Sequence, residues 1–151
     1  NVESIKASES SIKGITMLVI SAFNTEDRIS KTTDQLSKII EVIKADYYTP
    51  DELITQEIAL YKISSKFMNG NGRIDLVSRN LSARMIEMNA GYVVMEKTGP
   101  REEIEQMRDM LQRQGVLQEF TRSGSVILHR EESLDQMLGE DFGAEFEEDD
   151  F

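Results

Sequence analysis

The chain has no cysteine, a single histidine and two prolines, and basic residues are missing from its last 21 positions. Without cysteine there are no disulfides and no thiolate metal sites, which suits a reducing compartment. No apolar run approaches the length of a membrane span, and no charged-then-apolar leader pattern opens the chain. The expectation is a soluble, cytoplasmic protein. The net charge of −11 is local: ten of the 28 acidic residues lie in 131–151, which leaves 18 against 17 basic residues in the body. A nearly neutral body offers neither a nucleic-acid footprint nor a basic membrane face.

What is present is a doubled pattern. Ile104, Met107 and Leu111 recur at helical spacing behind Thr98-Gly99-Pro100, with Pro100 suited to the first helical position and Glu102 and Glu103 to the positive end of the dipole. Gly115 is placed to stop that helix in the left-handed conformation, where a β-branched residue costs about 1 kcal/mol or more. A strand follows from Val116, then a turn at Arg122-Ser123-Gly124, then the strand Val126-Ile127-Leu128. Earlier, the strand Ile15–Ile20 leads through a cap at Asn24 or Thr25 into a helix with Ile29, Leu36, Ile39 and Ile40 inward, and then into the strand Val42–Tyr47. Strand-helix-strand twice predicts an α+β chain of two small ferredoxin-like sandwiches, each with helices on one side of a mainly antiparallel sheet.

The predicted organisation is an incomplete N-terminal domain over 1–48, a linker over 49–54, a second domain over 55–130 and an acidic tail over 131–151. In the first domain Val2, Ile5 and Ala7 open a hairpin that turns between Ser8 and Lys13. One helix cannot cover three strands, so half of a sheet face is expected to lie bare. A preceding strand and helix, or another chain, would supply the cover, and residue 1 is not the initiator methionine. Pro50 breaks the order before the second domain. There Glu57–Ile63 carries apolar residues on both faces, as a central or interface strand does. Asn69-Gly70-Asn71-Gly72 is a loop, Ile74, Val77 and Leu81 mark a short helix capped by Asn71, and Ala83–Met88 and Tyr92–Lys97 form a hairpin about Asn89-Ala90-Gly91. The tail carries Leu134, Met137 and Leu138 at helical spacing, then Phe142, Phe146 and Phe151 among acids; it reads as a frayed helix with a disordered end, or as a docking peptide.

Catalytic and metal sites are not legible. His129 lacks an orienting partner and any companion ligands at set spacings. The Asn69–Gly72 loop lacks the lysine and hydroxyl of a phosphate loop and the third glycine of a dinucleotide turn. Arg122 in its turn reads as a solvated arginine at a hairpin or as an anion contact. The methionines, among them Met85, Met88, Met95, Met107 and Met110, fall at core spacing more readily than they make a docking surface.

Four segments, Asn1–Ile5, Leu36–Lys44, Gln56–Ile63 and Thr121–Val126, resemble in order and spacing the small regulatory subunit of acetolactate synthase. The resemblance implies an amino-terminal ACT domain, a second ferredoxin-like domain, a homodimer and binding of valine or another branched-chain amino acid at the ACT interface. It also implies a partner, the large catalytic subunit, which carries thiamine diphosphate, Mg2+ and FAD, while this chain carries no cofactor and no catalytic residue. Asn1 matches the effector-site asparagine and Val2 follows it. The glycine loop that cradles the effector has no counterpart, so weak valine binding is expected of residues 1–151. Gln56 stands where the family usually has arginine. Two rivals remain from the residues themselves: an ACT-type sensor attached to another enzyme or a transcription regulator, and a small enzyme or RNA binder, for which Tyr61 and Tyr92 are the exposed-aromatic candidates.

Overall fold

The computed structural model describes residues 1–67 and 81–139. The expected loop and helix over 69–80 and the tail phenylalanines lie outside the described residues. The chain divides into two compact units, Asn1–Ile54 together with the residues from Ile127 onward, and Thr55–Val126.

The first unit starts with β1 (Val2–Glu9) and β2 (Thr16–Ala22), an antiparallel pair in which Ile5 faces Ile20 and Ala7 faces Leu18. Their turn is closed by Ser10, whose N–H donates to the Ile15 carbonyl at 2.9 Å and whose hydroxyl donates to the Ile12 carbonyl at 2.9 Å. The helix α1 (Glu26–Leu36) follows, with Thr25 at the N-cap position in extended geometry but without a side-chain capping bond, and with Ile29, Thr33 and Leu36 half-buried. It stops earlier than its sequence pattern suggests. Ser37–Val42 run through successive short turns, Ile39 is 45% exposed and Ile40 98%, so neither points inward. Nor is Val42–Tyr47 a strand. A strand exists by pairing, and local β propensity without a partner edge leaves the backbone to turns and solvent.

The second unit is built on β3 (Leu53–Ser64), which enters from a 3₁₀ turn at Pro50–Glu52. With β4 (Ala83–Met88), β5 (Tyr92–Gly99) and β6 (Leu117–Arg122) it forms the order β4-β5-β3-β6, the antiparallel order of a ferredoxin-like sheet. β3 is central, as its two-faced apolar pattern indicates. The helix α2 (Arg101–Arg113) lies between β5 and β6 in sequence and buries Ile104, Met107 and Leu111 completely. These meet Ala59, Tyr61, Ile63, Ala83, Val93 and Met95 in one core. Among the methionines the spacing sorts well at Met95 and Met107, which are buried, but Met85 and Met88 on β4 are 47% and 61% exposed.

The end of α2 behaves as its glycine requires. Gly115 has φ +69°, its N–H donates to the Gln112 carbonyl at 2.9 Å, and the Val116 N–H donates to the Leu111 carbonyl at 3.2 Å. That is a Schellman motif, and Val116 adds the expected apolar contact by packing on the core. Pro100 sits at the cap, one position before the helix.

The turn at Arg122-Ser123-Gly124 is not a hairpin. β7 (Val126–His129) pairs with β3, the strand that β6 already pairs with. Gly124, at φ +77°, supplies the left-handed residue between the two strands. The last described element is α3 (Leu134–Leu138).

Candidate functional site

In the second unit the inward side of β3 alternates with its outward side. Glu57, Ala59, Tyr61 and Ile63 point in, and Ile58 and Leu60 point out. Tyr61 is fully buried and its hydroxyl donates to the Ile104 carbonyl at 2.7 Å. Burial, and then the Glu105 carboxylate, push its ionisation well above the ordinary tyrosine range. Tyr61 is therefore a packing residue and offers no exposed ring to a base. Tyr92 is half-exposed; its hydroxyl donates to Glu87 at 2.8 Å and the Lys62 ammonium lies 4.6 Å from its ring centre.

At one end of the inner face the structure gathers polar groups that the sequence pattern hides. Glu57 is 1% exposed; one carboxylate oxygen accepts from the Ser125 hydroxyl at 3.0 Å and the other has no partner. Lys97, 4% exposed, donates to the Leu81 carbonyl and pairs with Glu103 at 3.1 Å. A side chain at Gly99 would set its Cβ 3.0 Å from the Glu103 carboxylate, so the bare glycine leaves room for that pair. Period-two counting along β3 and β5 was the available signal: Glu57 and Lys97 share parity with Ala59 and Met95.

Arg122 is neither solvated nor free for an anion. Its side chain is 18% exposed and its guanidinium pairs with Glu105 at 2.7 Å, while Arg108 lies over the Phe120 ring at 4.6 Å and approaches Glu105 at 3.5 Å. The Ser123 hydroxyl accepts from the Ile58 N–H at 3.0 Å and donates to the Gly124 carbonyl at 2.8 Å, so it is committed to backbone. The turn is a fastening between β6 and β3.

The outward face of this sheet carries Ile58 and Leu60, 49% and 37% exposed, flanked by the pairs Lys62–Glu119 at 3.8 Å and Arg84–Glu96 at 2.9 Å. In the first unit Ile5, Ala7, Leu18 and Ile20 share one exposed face. Asn1 stands at the start of β1, its carbonyl accepting from the Phe23 N–H at 3.0 Å, and Val2, 62% exposed, pairs with Ala22. Both sit at the hairpin end that leads into α1. His129, on β7, meets the Tyr48 ring edge-on with centroids 4.6 Å apart. Among the described residues no three His, Asp or Glu side chains gather as a metal-binding set, and no helix is long and apolar enough to cross a membrane. Among the described residues no acid, base and nucleophile are brought together, and apolar side chains stand exposed on the strands of both units.

A family model described as the small subunit of acetolactate synthase matches residues 56–131. Over 130 residues the chain is 25% identical to a probable acetolactate synthase small subunit of Methanothermobacter thermautotrophicus, covering 86% of this chain and 77% of that one. It is 29% identical to the acetolactate synthase small subunit of Mycobacterium leprae, again over 130 residues, with 86% and 76% covered. The crystal structure of the acetolactate synthase small subunit from Thermotoga maritima superposes with a TM-score of 0.73 at 26% identity, over 87% of this chain and 81% of that one. With half of the chain matched by the family model and the fold matched across both units, the chain belongs to the family of acetolactate synthase small subunits.

Proposed function

We propose that this chain is the regulatory subunit of acetolactate synthase, which binds the large catalytic subunit, raises its turnover and carries feedback inhibition by valine or a related branched-chain amino acid. One observation carries the reading: a second unit of the family's fold, with a closed core, bears apolar outward positions, Ile58 and Leu60, and among its described residues no catalytic constellation. The chemistry then belongs to the partner, with its thiamine diphosphate, Mg2+ and FAD, and the complex works in the cytoplasm. The first unit is read as an ACT domain that pairs with a second copy, and Asn1 and Val2 as the edge of the effector site. Feedback follows if effector and catalytic subunit favour different arrangements of that dimer, because a ligand shifts an equilibrium only by its differential affinity.

The test is the rate of the cognate large subunit with and without this chain, and with and without valine, under conditions where association is demonstrated. The expected outcome is a higher rate with the chain, lowered by valine at most slightly because residues 1–151 are expected to bind it weakly or not at all, and no acetolactate synthesis by the chain alone. Equal rates for free and associated large subunit would overturn the reading in favour of an ACT-type sensor serving another enzyme.

A further inference from the structure

Inside the first unit, two segments that lie 78 to 93 residues apart in sequence hold each other. On one side are residues 44–52, which have no regular structure before the 3₁₀ turn at Pro50–Glu52. On the other are β7 and α3. The Lys44 ammonium donates to the carbonyl of Met137, in the last turn of α3, at 2.9 Å, and pairs with Asp46 at 3.3 Å. The Tyr48 ring meets His129 edge-on, and its hydroxyl lies 3.9 Å from the Met137 sulfur. Arg130 donates through its backbone N–H to the Glu52 carbonyl at 3.1 Å and through Nε to the Asp51 carbonyl at 3.0 Å.

Neither side stands well alone. A helix of five residues is far below the length that survives in water, even with the capping box that Ser133 and Gln136 provide. Residues 44–49 lack a strand ladder. The charges leave the contact finely balanced: burial first, and then the carboxylates of Asp46, Glu132 and Glu52, push the Tyr48 hydroxyl above its ordinary range, so acids from both segments converge on that ring. Lys44 and Arg130 join the two segments through backbone carbonyls, of Met137 for one and of Asp51 and Glu52 for the other. The family match ends at residue 131, so α3 lies beyond it.

We propose that α3 is a strap, pinned by Lys44 and Tyr48, that fixes residues 44–49 of the first unit, so that release of the strap frees that segment.

Amide hydrogen exchange on the full chain tests the strap. Lys44→Met keeps the aliphatic stem and removes the ammonium; exchange should rise about fivefold in residues 42–49 and in 134–138 together, with the amides of α2 unchanged. Tyr48→Ala should do the same through the other pin. Lys31→Met, which removes an equal charge from the exposed pair with Asp27, serves as the control and should leave both segments unchanged. Unchanged exchange in both pin variants would overturn the proposal. So would a rise in 42–49 without one in 134–138, or an equal rise in the control, which would make net charge the cause.

Discussion

The two units use the same kinds of element and differ in closure. In the second, nine apolar residues fall below a tenth of their free exposure around α2; in the first, no described residue is buried and α1 contributes none. Both have amphipathic strands and a helix with a stripe. A five-stranded sheet with a helix across it removes side chains from water on one face, whereas a two-stranded ribbon with one helix shields its stripe only in part, and such ribbons are marginal alone. Apolar pattern therefore specifies which face is offered. Burial needs a neighbour to accept it.

The largest effect should separate the units outright. Leu111→Ala removes a completely buried side chain and leaves a cavity, with an expected loss of about 3–5 kcal/mol from the second unit. Leu36→Ala, at a half-buried position of α1, should cost under about 1.5 kcal/mol. Denaturant midpoints followed separately in each unit check this. Equal losses would mean that the first unit has a core of its own.

The same contrast explains what was legible. The Ile104, Met107 and Leu111 stripe, the glycine stop and the β4–β5 hairpin could be read because each depends on local spacing or on one backbone conformation. The strand expected at Val42–Tyr47 fails because strand formation requires a partner edge, about which local composition carries no information. Arg122-Ser123-Gly124 hides its role for a related reason: a hairpin turn and a connection between two strands on the same neighbour draw on the same residues, and only pairing with β3 distinguishes them. Glu57 and Ser125, 68 residues apart, meet through tertiary structure alone. As for the candidate site, Asn1 and Val2 come from family resemblance; neither carries a pattern that marks it.

Ser125→Ala should have the next largest effect. It removes the partner of a carboxylate that already has one unpaired oxygen while 1% exposed, so a loss of about 1–3 kcal/mol from the second unit is expected, with no change in the first. Ser125→Thr, which keeps the hydroxyl, should recover part of it. A neutral Ser125→Ala would show that water reaches Glu57 and that the second unit is less closed than its burial suggests.

Backbone effects should be alike in both units, which sharpens the claim that the difference lies in packing. Gly14, in the β1–β2 turn, has φ +79°, and Gly115 has φ +69° with open space where a Cβ would stand. Alanine at either place meets the left-handed penalty of about 1 kcal/mol, whatever the core below it. If Gly115→Ala cost several times more than Gly14→Ala, in unfolding measurements of each unit, the Schellman turn would be coupled to the core through Val116.

The smallest expected effect compares two lysine–carboxylate pairs. Lys31 and Asp27 sit one helical turn apart on α1 at 2.8 Å, with side chains 70% and 73% exposed. Water already solvates both charges there, so Lys31→Ala should cost about 0.3–0.5 kcal/mol, and less still at high salt. Lys97 pairs with Glu103 at a similar 3.1 Å but is itself 4% exposed, and it also serves the Leu81 carbonyl. Removing its ammonium leaves the carbonyl of half-buried Leu81 without that donor, so Lys97→Met should cost more than Lys31→Ala and respond less to salt, because the buried Lys97 is shielded from mobile ions. Thermal unfolding of the two variants at low and high ionic strength decides it. A salt response of Lys97→Met as large as that of Lys31→Ala would place the Lys97 ammonium in water and reopen the inner face of the second unit.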